Sequence, residues 1–325
     1  MPFDEDAVGG QGGRDSGGNP GRREFLKQVA ALPVAMAAAQ YAPGAEPTLA
    51  EQPKLPGIRL GPHSISRLIV GSNPFGAGSH LSVFVNHQMR EHYTPEQVLK
   101  TLRRCEEVGI TAWQSGPGHI DLYRRHREAG GRLKFLAIAS GDPAGIDALK
   151  QGGCIAVAHH GESTDSMFKT GRFGQVKDYL KRVRDAGLVV GVSTHMPGVV
   201  DAVESKGWDV DYYMTCVYER HRSAQELEKL LGQAPIPAGE VYLPGDPPRM
   251  YKAVRQTRRT CLAFKILAAG RLSERPEWVE HAFRETLASI KPGDGIIVGI
   301  YDRYSDQPAE CAALVRRFAG GGRAG

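Results

Sequence analysis

After Leu55 the chain falls into a rhythm of eight short apolar runs, each followed by an amphipathic stretch. The runs are "SRLIVGS" (66–72), "ITAWQS" (110–115), "LKFLAIAS" (133–140), "CIAVAHH" (154–160), "LVVGVSTH" (188–195), "DYYMTCVY" (211–218), "CLAFKIL" (261–267) and "GIIVGIY" (295–301). Strands that are apolar throughout suit a sheet covered on both faces, and parallel neighbours need a crossover, usually a helix, between them. Eight such units are the number that a (βα)8 barrel requires. The expected fold is therefore α/β, a single TIM barrel over residues 56–320 of the 325. The first crossover carries a helix start, "TPEQVLKTLRRCEEVG", in which Thr94 can cap, Pro95 fits the first turn and Gln97 completes a capping box.

Residues that end the strands of a barrel become neighbours at one face, however far apart they lie in sequence. Two connections there are longer than plain loops, 74–93 (with His80, His87 and His92) and 232–259, and both are candidate walls of a substrate site. Histidines close the fourth and fifth runs, and "YER" follows the sixth. Neutral imidazoles and carboxylates at converging positions suit a divalent metal, with His159, His195, Glu219 and Glu162 as the expected ligands. Lys265 stands inside "CLAFKILAAG", where an inward position is normally a branched aliphatic. A buried, unpaired ammonium is costly, so it must meet a carboxylate, a substrate anion or a metal-site network, or be held neutral. A structural ion pair is one reading; a catalytic lysine is the preferred one.

The basic residues that give the net charge of +5 are scattered, and the densest cluster, Arg255 with Arg258 and Arg259, has no interleaved aromatics, so no nucleic-acid partner is expected. Five cysteines (Cys105, Cys154, Cys216, Cys261 and Cys311) include no C-x-x-C pair and read as small buried side chains. The first fifty residues differ in kind: a Gly-rich polar start leads to "RREFLK" (22–27) and then "VAALPVAMAAA" (29–39). That apolar run is shorter than the roughly 20 residues that cross a bilayer, so no stable membrane span is expected in the mature chain. Residues 1–50 resemble a twin-arginine export signal with its linker, which implies a periplasmic or extracellular protein that is exported already folded.

The order of motifs is similar to that of the aldo-keto reductases over nearly all of residues 58–318. "LGPHSISRLIVGSNPFG" resembles their first strand, "TPEQVLKTLRRCEEVGITAWQSG" their first helix and second strand, "GVSTH" their fifth strand, "LAFKILAAGRL" their seventh, and "IIVGIYDRYSDQPAECAAL" their last strand and helix. The resemblance implies hydride transfer from NADP, with a proton-donating Tyr tuned by Asp, Lys and His. By position the Asp falls on Gln114, the Tyr on or near His119, the Lys on or near Ala139 and the His on His159. Phe264 matches the aromatic on which the family stacks nicotinamide, and Ser193 a carboxamide-binding Ser. A neutral Gln114 and a missing lysine cannot tune a phenol. The scaffold is thus expected without the reduction: an exported enzyme that acts on a small polar, carbohydrate-like substrate by metal-assisted acid/base chemistry, as a lyase, isomerase or hydrolase. Its catalytic candidates are Lys265, His159, His119 and Gln114. The alternative is an NADP-dependent oxidoreductase in which His119 is the proton donor and Ser193 and Phe264 hold the cofactor; a second alternative is a non-catalytic ligand-binding barrel.

Overall fold

The computed structural model describes residues 54–142, 144–236 and 240–319; the expected export segment, residues 1–50, lies outside them. A short antiparallel hairpin comes first, β1 (Gly57–Leu60) and β2 (His63–Ser66). It is followed by β3 (Leu68–Gly71), β4 (Ala112–Ser115), β5 (Lys134–Ala139), β6 (Cys154–His159), β7 (Val189–Thr194), β8 (Tyr212–Cys216), β9 (Thr260–Phe264) and β10 (Gly295–Gly299). These eight pair in parallel in chain order, and β10 returns to β3 to close the barrel. Each coincides with one of the expected apolar runs. Helices α1 (Val83–His92) and α2 (Pro95–Glu107) follow β3, α3 (Ile120–Glu128) follows β4, and α4 (Ala144–Gln151) follows β5. After β6 come α5 (Gly161–Lys169) and α6 (Gly174–Asp185), after β7 α7 (Pro197–Ser205), and after β8 α8 (Ala224–Leu231) and α9 (Asp246–Gln256). Helices α10 (Pro276–Ser289) and α11 (Gln307–Ala319) follow β9 and β10.

The pleat of each strand decides which side chains can do chemistry. Leu136, Ala156, Ala158, Met214, Leu262 and Ile297 fill the lumen, whereas alternate residues such as Val157, Val190, Tyr213 and Val298 pack against the helices. Gly191 lets the Tyr212 ring into the lumen, because a Cβ there would come within 2.3 Å of that ring. The unexpected hairpin closes the lower end: Ile58, Leu60 and Ile65 join the lumen cluster, turning at Gly61, whose φ of +56° suits glycine. Helix α2 starts where expected, with the Thr94 hydroxyl accepting the Gln97 N–H at 3.3 Å. The other half of the expected capping box is absent, since the Gln97 carboxamide turns to Thr101 Oγ1 at 3.4 Å. A complete box stands instead at the start of α8, between Ser223 and Glu226.

Candidate functional site

At the upper end of β6 the pleat separates two adjacent histidines. Ala158 faces the lumen, so His159 faces the helices, where its ring meets Tyr179 of α6 edge-on at 5.0 Å and Nδ1 is hydrogen-bonded to Thr164 Oγ1 at 2.7 Å. It is 2% exposed, and burial, helped by the neighbouring His160, pulls its pKa down to about 4. His159 is therefore corrected from metal ligand and catalytic residue to a neutral imidazole packed behind the rim. His160 opens α5, and burial lowers its pKa too.

A turn further into α5, Asp165 reaches the end of β7. Its carboxylate, 1% exposed, accepts the Thr194 hydroxyl, the His195 backbone N–H at 3.0 Å and the His195 ring through Nδ1 at 2.8 Å. A proton donated from Nδ1 leaves Nε2 of a neutral His195 with its lone pair free. Burial keeps that ring neutral by lowering its pKa against the pull of Asp165. His221, in the connection after β8, stands edge-on to His195 at 5.0 Å, and Phe264 meets the same ring at 5.6 Å. Burial, then His195 and Arg220, lower the pKa of His221 to about 4. Donor atoms of Asp165, His195 and His221 lie within 4.8 Å of one another. Two buried polar atoms here, His221 Nε2 and Ser193 Oγ, have no hydrogen-bond partner among the described residues. Gly161 makes room for this arrangement, because a Cβ on it would lie 2.9 Å from Ser193 Oγ and 3.2 Å from His195 Cε1.

The other expected ligands are not in this group. The Glu219 carboxylate is taken by Arg222 and Arg249, each at 3.2 Å, and Arg222 is also paired with Asp246. Glu162 is exposed, with Arg220 at 3.6 Å. The expected set of His159, His195, Glu219 and Glu162 is thus replaced by Asp165, His195 and His221: Glu162 stands in the exposed first turn of α5, Asp165 one turn further on is buried against the end of β7, and two arginines hold Glu219 aside. His119 ends a short turn after β4, hydrogen-bonded through Nδ1 to Ser115 Oγ at 2.7 Å, with burial lowering its pKa. Gln114 and Ser193 take inward registers, buried on β4 and β7.

Lys265 does not lie within a strand, because β9 stops at Phe264 and the lysine adopts a left-handed φ of +58°; Ala268 and Ala269 just beyond are left-handed too, at +50° and +54°. Such backbone is strained for a side-chain-bearing residue and is held by its surroundings. Here Lys265 Nζ makes an ion pair with Glu240 at 2.9 Å and lies 5.7 Å from the centre of the Tyr218 ring. Burial pulls the lysine pKa down while Cys216 and Glu240 oppose it. Burial likewise acts to raise the Glu240 pKa, but His80, Lys265 and Tyr218 outweigh it and hold the carboxyl far below its usual range. Lys265 thus meets the carboxylate partner that the ion-pair reading asks for.

Likeness to known proteins is a likeness of fold. No family model matches the chain, and no curated protein matches it in sequence. Among solved structures, a Pseudomonas aeruginosa protein assigned as an aldo-keto reductase superposes with a TM-score of 0.52 at 14% identity, covering 81% of this chain and 94% of its own. A second structure of an aldo-keto reductase assigned in that organism gives 0.50 at 16% identity, covering 81% and 95%. Glycerol dehydrogenase from Gluconobacter oxydans gives 0.46 at 13%, covering 82% and 97%. The chain has an aldo-keto-reductase-like (βα)8 barrel.

Proposed function

We propose that this protein is an exported barrel enzyme that carries out metal-assisted acid/base chemistry on a small polar, carbohydrate-like substrate, as a lyase, isomerase or hydrolase. The observation that carries the reading is the unsatisfied polar surface at the mouth. A buried imidazole nitrogen and a buried hydroxyl without partners ask for a ligand, and both stand beside a carboxylate and a second neutral imidazole. His195 and His221 would hold a divalent ion through ring nitrogens, with Asp165 as the adjoining carboxylate; two histidines and one acid suit a transition metal. When bound, the ion supplies polarisation of a substrate oxygen or acidification of a water. Asp165 fixes the tautomer and direction of His195, an arrangement common behind metal-bound histidines, and Thr194 in turn fixes Asp165. The depressed pKa values of His195 and His221 keep both lone pairs available at neutral pH.

The nicotinamide alternative fits less well. The four positions of its tetrad hold Gln114, His119, Ala139 and His159, and the last of these faces the helices. Ser193 and Phe264 still line the mouth, so one experiment addresses both readings. Elemental analysis of the purified protein should find near one divalent ion per chain, lost in His195→Ala and in His221→Ala but retained in Glu219→Gln. The same preparations should not turn over simple aldehydes with NADPH. A metal-free wild type that binds NADPH tightly and reduces aldehydes would overturn the reading.

A further inference from the structure

Glu240 lies on the connection between α8 and α9, and its two carboxylate oxygens are shared evenly among groups from other parts of the chain. Oε1 accepts from Lys265 Nζ at 2.9 Å and from the Tyr218 hydroxyl. Oε2 meets His80 Nδ1 at 3.0 Å and Arg220 Nε at 3.1 Å. The Asn73 amide at 3.1 Å from His80 Nε2 can donate to it, leaving Nδ1 to donate to the carboxylate. Arg220 Nε sits off the line of a hydrogen bond, a buried donor without a hydrogen-bond partner among the described residues. Two contacts on each of two oxygens satisfy a planar carboxylate; the extra oxygens of a phosphate have no place in this pattern.

Charge is in surplus around that carboxylate. Lys265 and Arg220 face it, and Arg271 grips the Glu240 backbone carbonyl at 2.9 Å and the His80 carbonyl at 3.2 Å. Against these cations stand Glu240 and, at 3.6 Å from Arg220, the exposed Glu162. An open cleft of about 640 Å³ is lined by Glu240 and Arg220 of this group and by His221 of the candidate metal site, so the two groups border one space through these residues. That volume is of the order that small ligands fill.

We propose that His80, Tyr218, Arg220 and Lys265 form a binding site for a carboxylate of the substrate, which Glu240 fills until substrate displaces it; the substrate is then a small organic acid. This rests on the reading of the mouth as a substrate site. Removing an internal competitor raises apparent affinity by the inverse of the fraction of time the site stands free. Propionate, which reproduces the Glu side chain beyond Cα, is the probe, with uncharged propionamide and inorganic phosphate as controls. By calorimetric titration Glu240→Ala should bind propionate about tenfold or more tighter than the wild type, and neither control should share the gain. Glu240→Gln, which keeps the shape and loses the charge, should fall between the two, and adding Lys265→Met to Glu240→Ala should abolish the gain. Circular dichroism checks that each variant is folded. A folded Glu240→Ala, or failing that Glu240→Gln, that binds propionate no tighter than the wild type, or binds propionamide equally well, overturns the proposal. Metal content measured on the same samples separates the two readings: metal retained without a propionate gain sinks this inference alone, and a propionate gain in a protein that never holds metal sinks the metal reading alone.

Discussion

His159 and Asp165 lie six positions apart and show what the alternation of a strand and the turn of a helix do to a string of ionisable letters. In "HHGESTD" the acid nearest the strand end was Glu162, yet the inward-facing acid is Asp165, a turn later, and the histidine of the pair that ends the strand points away. His221 follows "YER" by one residue, but sequence spacing does not say which of several adjacent polar groups a connection turns inward. The need of Lys265 for a carboxylate was legible from burial alone. Its partner, Glu240, was not, because it lies 25 residues away in a connection with no periodic pattern. The neutral state of His159 has a consequence for stability. Its pKa falls from 6.5 to about 4 on folding, so the unfolded chain binds more protons between those values. The stabilisation from keeping the ring neutral is complete above pH 6.5 and is lost as pH falls toward 4, amounting to about 3 kcal/mol. His159→Gln should therefore keep the wild-type metal content and flatten the fall in melting temperature over that range; an equally steep acid fall would place its origin in another group.

The eight barrel strands were legible because each is apolar on both faces, a pattern that parallel sheets alone demand. The hairpin was not, although Gly61–Pro62 between two short stretches is a turn signal; β1 and β2 have only four residues each, with two buried in each. The run that holds Lys265 was read too long, since apolar composition does not register the left-handed turn that ends β9. The two long connections, expected as candidate walls of a substrate site, meet each other, His80 from the first touching Glu240 from the second. Helix positions could be placed from caps, but the partner of each cap residue could not, as Gln97 shows. The hairpin also offers a test of how much an element remote from the mouth contributes. Leu60 is 0% exposed in the lumen cluster, and Leu60→Ala should cost about 2–5 kcal/mol in denaturant unfolding while leaving metal content unchanged. A cost near zero would mean that the hairpin only rests on the barrel.

For the whole molecule, export is the proposal that the sequence carries by itself, through "RREFLK" and the small residues after it. Arg22→Lys with Arg23→Lys should hold the protein in the cytoplasm, and a chain lacking residues 1–50 should melt at the wild-type temperature; normal export of the double variant would refute the signal. The barrel is closed below by Ile58, Leu60 and Ile65 and open above at the cleft beside Glu240. Among the described residues the base is sealed by packed side chains, and the cleft beside Glu240 opens at the other end. Whatever enters must leave by the way it came, so departing product and incoming substrate contend for the same threshold, and in steady-state kinetics the product would act as a competitive inhibitor of the next turnover.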